Sequence, residues 1–129
     1  MSAIRRFVPF LALALLSQAA SFAADRSNYD QKAFQAAQAS NLPILLDVSA
    51  PWCPTCRAQK PILEKLTADP AYKKLKIFEI DFDTQTELLR SLHVQKQSTL
   101  IVYKGSAEQG RSTGDTAEAS ISALLHKSL

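Results

Sequence analysis

Cysteine is scarce in this chain, with two in 129 residues. So few thiols cannot staple a small scaffold together, and stability has to come from a packed core. Glycine is scarcer than any collagen-like repeat allows, at three residues, and no internal repeat, low-complexity tract or linker interrupts the chain. No run of Lys or Arg could track a nucleic-acid backbone. The excess of 15 basic over 12 acidic residues shrinks to 13 against 12 once Arg5 and Arg6 are set aside with the leader described next, so no nucleic-acid partner is expected. A long apolar run is missing as well. Phe7 to Leu16 is about half of the roughly twenty residues that a membrane-spanning helix needs. What is present, 47% apolar and 21% charged residues, suits one ordinary globular domain.

Residues 1–23 read as an address. Arg5 and Arg6 precede the short apolar stretch, and small and polar residues follow as far as Ala23, the order of a secretory signal peptide. Ser21 and Ala23 put small side chains at the two positions a signal peptidase reads, so cleavage is expected after Ala23, leaving a domain over 24–129. No Cys follows the cut to carry a lipid anchor. Export, with the periplasm as the expected destination, implies an oxidising compartment in which two thiols can exist as a disulfide.

The remaining chain alternates helix and strand. Capping residues from Ser27 and an apolar stripe through Ala33, Phe34 and Ala37 predict a helix to about Ser40. Pro43 to Val48 is almost wholly apolar, the mark of a strand buried on both faces. A second helix should begin at Cys53 or Pro54 and run through Leu63 and Leu66, since Pro suits a first helical turn. Lys76 to Phe82 alternates as a strand, Thr84 to Leu92 suits a short helix, and Thr99 to Tyr103 a third strand closed by Lys104-Gly105. Gly110 to Gly114 could hold a brief edge strand, and Thr116 to Lys127 forms the last helix. The order is α-β-α-β-α-β-β-α: an α/β fold with a mixed central sheet, helical crossovers giving parallel pairs and the last two strands a hairpin.

Trp52-Cys53-Pro54-Thr55-Cys56 is the most informative stretch. Two cysteines separated by two residues at a helix start leave the first sulfur facing unpaired amide hydrogens and the positive end of the helix dipole. That setting favours thiolate over thiol, making Cys53 a nucleophile and a good leaving group. Cys56, one turn on, lies within bonding reach and is expected to face inward, so that it resolves a mixed disulfide. Zinc would need four ligands, and His93 and His126 fit no zinc spacing with the pair. A purely structural disulfide closing so short a loop would stabilise little.

These residues resemble the thioredoxin family over essentially the whole chain beyond the leader. The resemblance implies a thioredoxin fold and a role for Asp47, on the buried strand six residues before Cys53, as the interior carboxylate that exchanges a proton with Cys56. An acid among Ile44, Leu45, Leu46 and Val48 should hold its proton to higher pH. Trp52 resembles the tryptophan covering the family's site, and Pro61 the proline in its second helix. Ser98 takes the place of the family's cis-proline, with Gln97 and Thr99 beside it. A non-proline cis bond costs about 2.5–4 kcal/mol, so Gln97-Ser98 is expected trans, and the Ser98 hydroxyl could then donate to the Cys53 thiolate. Glu79 aligns near a position where thioredoxins often carry Lys; close to Asp47 it would raise a carboxyl pKa further.

The expected activity is protein thiol-disulfide exchange, with Cys53, Cys56 and Asp47 as catalytic residues and Trp52, Pro54, Thr55, Gln97, Ser98 and Thr99 as the substrate surface. No dissociable cofactor or metal is required of a monomer working this way. Its partners would be proteins with disulfides or thiols and a resetting partner, which the resemblance to the family's exported members implies is a membrane electron-transfer protein, making the reductase direction the preferred one. The alternative, opened by the loss of the proline, is a metal-binding or metal-delivery module using the same two thiols.

Overall fold

The computed structural model describes residues 24–129; the leader expected over 1–23 lies outside them. Five strands, β1 (Asp25–Asn28), β2 (Pro43–Ser49), β3 (Lys76–Asp81), β4 (Thr99–Lys104) and β5 (Ala107–Thr113), form one sheet in the order β1-β3-β2-β4-β5. β1, β3 and β2 run parallel, and β2-β4 and β4-β5 are antiparallel. Four helices, α1 (Gln31–Ala39), α2 (Pro54–Thr67), α3 (Thr86–Ser91) and α4 (Glu118–His126), cover the sheet, with a 3₁₀ turn at Pro70–Tyr72. This is the expected mixed sheet flanked by helices.

Period-two alternation along the central strands sorts side chains into two cores. Ile44, Leu46 and Val48 of β2 pack with Phe34 of α1, Phe78 and Ile80 of β3 and Leu89 of α3. Leu45 faces the other way, onto Leu63 of α2, Ile77 of β3 and Ile121, Leu124 and Leu125 of α4. Asp47 is two residues from Leu45 and therefore shares the α2/α4 side. Burial on both faces explains why β2 reads as an unbroken apolar run.

The chain before α1 differs from expectation. Asp25–Asn28 is a strand rather than the start of a helix, because it pairs in parallel with Lys76–Glu79 of β3. The helix starts later, where the Asp30 carboxylate accepts the Ala33 N–H at 2.8 Å as N-cap. α3 and α4 each begin two residues later than expected. β5 is longer than the brief edge strand, and the antiparallel hairpin with β4 is as expected.

The β4–β5 turn uses Gly105 at φ +57°, and its N–H donates to the Leu42 carbonyl at 2.9 Å. A Cβ built there would come 2.6 Å from Asn41 Oδ1. Gly105→Ala should therefore lose at least about 1–2 kcal/mol, measured by urea unfolding; wild-type stability in the variant would show that the turn relaxes freely.

Candidate active site

Cys53 ends the turn that leaves β2, its N–H donating to the Ala50 carbonyl at 3.1 Å. It is the N-cap of α2, in extended backbone, and its sulfur accepts the Cys56 N–H at 3.1 Å. Pro54 occupies the first helical turn, where its missing N–H leaves no bond unmade. Cys56 is disulfide-bonded to Cys53 with the Cα atoms 5.3 Å apart. The expectation that Cys56 faces inward is reversed in this oxidised state. Cys53 has no exposed surface, whereas Cys56 is partly exposed and lines a cleft of about 580 Å³. Pro61 lies inside α2, as expected.

Asp47 opens onto the same cleft. It is 8% exposed and directly opposite Glu79 in the β2–β3 register. Between the two carboxylates lies Arg26 of β1, whose Nη1 donates to Asp47 at 3.1 Å and to Glu79 at 2.5 Å. The sheet order puts all three on one side: Arg26 pairs with Ile77, two residues from Glu79. Burial pushes the Asp47 pKa up, Arg26 pulls against it, and Glu79 adds a smaller push upward; the net direction is up. Glu79 thus approaches Asp47 as envisaged, but with a cation interposed. Arg26 Nη2 is buried without a partner.

Trp52 is 53% exposed beside the disulfide, and its indole N–H is shared between both oxygens of Asp83, at 3.1 and 2.9 Å. Its ring meets Phe82 edge-on, centroids 6.5 Å apart. Pro54 is exposed, Thr55 and Gln97 partly so, while Ser98 and Thr99 are buried.

No cis peptide occurs among the described residues, so Gln97-Ser98 is trans, as expected. Ser98 instead takes φ +59°, a left-handed conformation that is unfavourable for a residue with a Cβ. Its N–H donates to the Val48 carbonyl at 2.8 Å, adding a bond at the end of the β2–β4 ladder, and its carbonyl accepts the Gly114 N–H at 3.0 Å. Its hydroxyl donates to the Gln97 carbonyl at 2.5 Å, so with the pair oxidised it makes no bond to Cys53. Thr99 Oγ1 bonds the Lys96 carbonyl and Thr113 Oγ1.

Gln59 was not among the expected site residues. It is 1% exposed, and its Nε2 donates to the carbonyls of Ser98 at 3.2 Å and Asp115 at 2.9 Å. Its signal in the sequence is a polar residue in register with buried Leu63 and Thr67 on the inner stripe of α2. Among the described residues no three His, Cys, Asp or Glu side chains converge as a metal site.

The thioredoxin family profile matches residues 24–127. The chain belongs to the thioredoxin family. A thioredoxin of Mycobacterium tuberculosis is 33% identical over 82 residues, covering 64% of this chain and 70% of that one. The crystal structure of Trxlp from Edwardsiella tarda EIB202 superposes with a TM-score of 0.76 at 42% identity, covering 78% of this chain and 98% of that one. The thioredoxin of Malassezia sympodialis, at 18% identity and TM-score 0.72 over 87% of this chain and 97% of that one, shows the shared fold alone. With its cysteine pair joined as a disulfide at a helix start, this chain is a thioredoxin-like disulfide oxidoreductase. Such proteins act on protein disulfides.

Two tests follow from the geometry. Because the folded Asp47 keeps its proton to higher pH than the unfolded chain, unfolded molecules ionise first as pH rises above ~3.9. This contribution disfavours folding increasingly with pH and levels off once the folded group has ionised. The stability of Asp47→Asn relative to wild type should therefore grow from acid to neutral pH in urea titrations; a difference that stays flat contradicts the raised pKa. Ser98→Pro cannot take φ +59° and has no N–H for Val48, so it should lose about 1–3 kcal/mol, whereas Ser98→Gly should hold or gain stability. Equal stability of the proline variant would show that the loop rearranges at no cost.

Proposed function

We propose that this chain is an exported, monomeric thiol-disulfide reductase in which Cys53 attacks client disulfides, Cys56 resolves the mixed disulfide and Asp47 handles the proton. The observation that carries this reading is the Cys53 sulfur at the N-cap of a 14-residue helix, accepting the Cys56 N–H. An amide hydrogen and the helix dipole favour negative charge on that sulfur in the reduced state. Asp47 and Cys56 share one cleft, and a carboxyl with a raised pKa can deliver and reclaim a proton nearer neutrality than an exposed one. Trp52, Pro54, Thr55 and the Gln97–Thr99 segment form the client surface in this reading. Ser98 contributes little backbone there, both its N–H and its carbonyl being bonded within the protein.

Export rests on the signal-peptide order of residues 1–23, with cleavage after Ala23 and a periplasmic domain over 24–129. The reductase direction rests on the resemblance, since the family's exported members are often reset by a membrane electron-transfer protein that passes reducing equivalents outward. Metal binding or delivery by Cys53 and Cys56 is the competing proposal. Metal analysis of protein purified without added metal separates the two, stoichiometric metal favouring delivery.

Cys53→Ser should abolish turnover in an insulin-disulfide reduction assay, and turnover at the wild-type rate would remove the proposal. Cys56→Ser should accumulate mixed disulfides with clients on non-reducing gels; recovering none would refute the division of labour between the sulfurs.

A further inference from the structure

Two carboxylates compete for one nitrogen in the cleft that Cys56 lines. Arg26 Nη1 donates to Asp47 at 3.1 Å and to Glu79 at 2.5 Å, while Nη2 is buried without a partner. The sheet sets this arrangement up. Arg26 of β1, Ile77 of β3 and Leu45 of β2 form one row across three strands, and Glu79 and Asp47 form a row two residues further along. Leu45 and Ile77 pack toward α2 and α4, so alternation along each strand puts Arg26, Glu79 and Asp47 on that same side.

The two acids differ in how far each depends on the cation. The Glu79 side chain is 38% exposed and has water for its charge, whereas that of Asp47 is 11% exposed. A nearby opposite charge favours the ionised form of a buried carboxyl, and a like charge opposes it. The other charged groups around Asp47 act more weakly or are engaged elsewhere. Lys60 of α2 pulls in the same direction as Arg26 and less strongly. Arg57 donates to the Pro51 carbonyl, and Asp81 accepts the Asp83 N–H. β4 places the uncharged Leu100 opposite Asp47.

We propose that Arg26 is a positioning residue for thiol-disulfide exchange and that Glu79 competes with Asp47 for it, the two side chains together setting the pH range over which Asp47 accepts a proton from Cys56. The inference rests on the exchange activity proposed above, with Asp47 as the proton acceptor. In the resolving step the Cys56 S–H gives its proton to the Asp47 carboxylate, the Cys56 sulfur bonds to Cys53, and the client sulfur leaves Cys53 with the bonding electrons. The pair loses two electrons and the client gains them. Only an ionised Asp47 can accept that proton. Arg26 widens the pH range in which it is ionised. Glu79 narrows that range, by drawing Nη1 away and by adding a negative charge of its own.

Opposite signs separate this role from a merely structural one. Arg26→Gln leaves Asp47 facing Glu79 without the guanidinium, so the acid-side midpoint of the pH–rate profile should rise. Glu79→Gln removes the like charge and leaves Nη1 to Asp47, so the midpoint should fall. Loss of packing alone would admit water to Asp47 and lower the midpoint in both variants. Arg26→Lys keeps a cation on a shorter side chain, so it should raise the midpoint less than Arg26→Gln does, and it takes that variant's place if Arg26→Gln does not fold.

Single-turnover reduction of insulin disulfides by the pre-reduced protein, followed across pH, gives the rate midpoint. Carboxyl-carbon NMR of the reduced protein follows Asp47 directly. Opposite displacements in both measurements, absent from the rates in an Asp47→Asn background, are the expected result. Displacements of one sign, no displacement, or opposite NMR displacements that the rates do not follow overturn the inference and leave exchange intact. Rate shifts that persist in Asp47→Asn overturn it as well, since they do not pass through Asp47. A wild-type protein that reduces no insulin overturns the exchange reading, and this inference with it.

Discussion

Cys53 brings a sulfur to the place where a capping oxygen usually sits, and the Cys56 N–H points at it. Satisfying that amide hydrogen is a structural requirement of any helix start. Here the group that meets it is also the group that changes bonding partners. Helix capping and sulfur chemistry therefore use the same atoms, and the rigidity of α2, packed through Leu63 against the sheet, holds them in register. The Ala50–Cys53 turn contributes by fixing the approach from β2.

The buried acid behind the pair poses the opposite problem, since a charge there lacks solvent. The protein answers with a cation from the edge strand rather than from a direct neighbour. Arg26 reaches across β3 to bond both Asp47 and Glu79. Its attraction offsets part of the burial penalty without cancelling it, so the acid keeps its pKa raised. One consequence is that β1, only four residues long, bears on the ionisation of the buried acid as well as on the fold.

Much of this architecture was legible because local pattern and tertiary demand agree. The apolar run of β2, the Cys-Pro start of α2 and the hairpin between β4 and β5 announce themselves in composition and spacing. β1 did not, since Asp25–Asn28 has no strand-like alternation and is extended only because β3 supplies partners. Missing that strand meant missing Arg26. Asp47 was found from the family resemblance, its place in an apolar run giving the direction of its pKa, and Glu79 was brought near it correctly. The relative exposure of the two cysteines came out reversed, because it is set by tertiary packing around the pair, which two-residue spacing does not encode. Likewise the partner of the Ser98 hydroxyl follows from a left-handed backbone turn at a residue that shows no preference for one.

Gln59 joins pieces of the chain that are far apart in sequence. One amide nitrogen holds the carbonyls of Ser98, before β4, and Asp115, before α4, against the helix that begins at Cys53. The segment leading into the last helix is thereby anchored to α2. Together with the Gly114 N–H on the same Ser98 carbonyl, this amide ties the approach to the terminal helix to the loop before β4, so the C-terminal end, remote in sequence from both cysteines, is held against the helix that carries them.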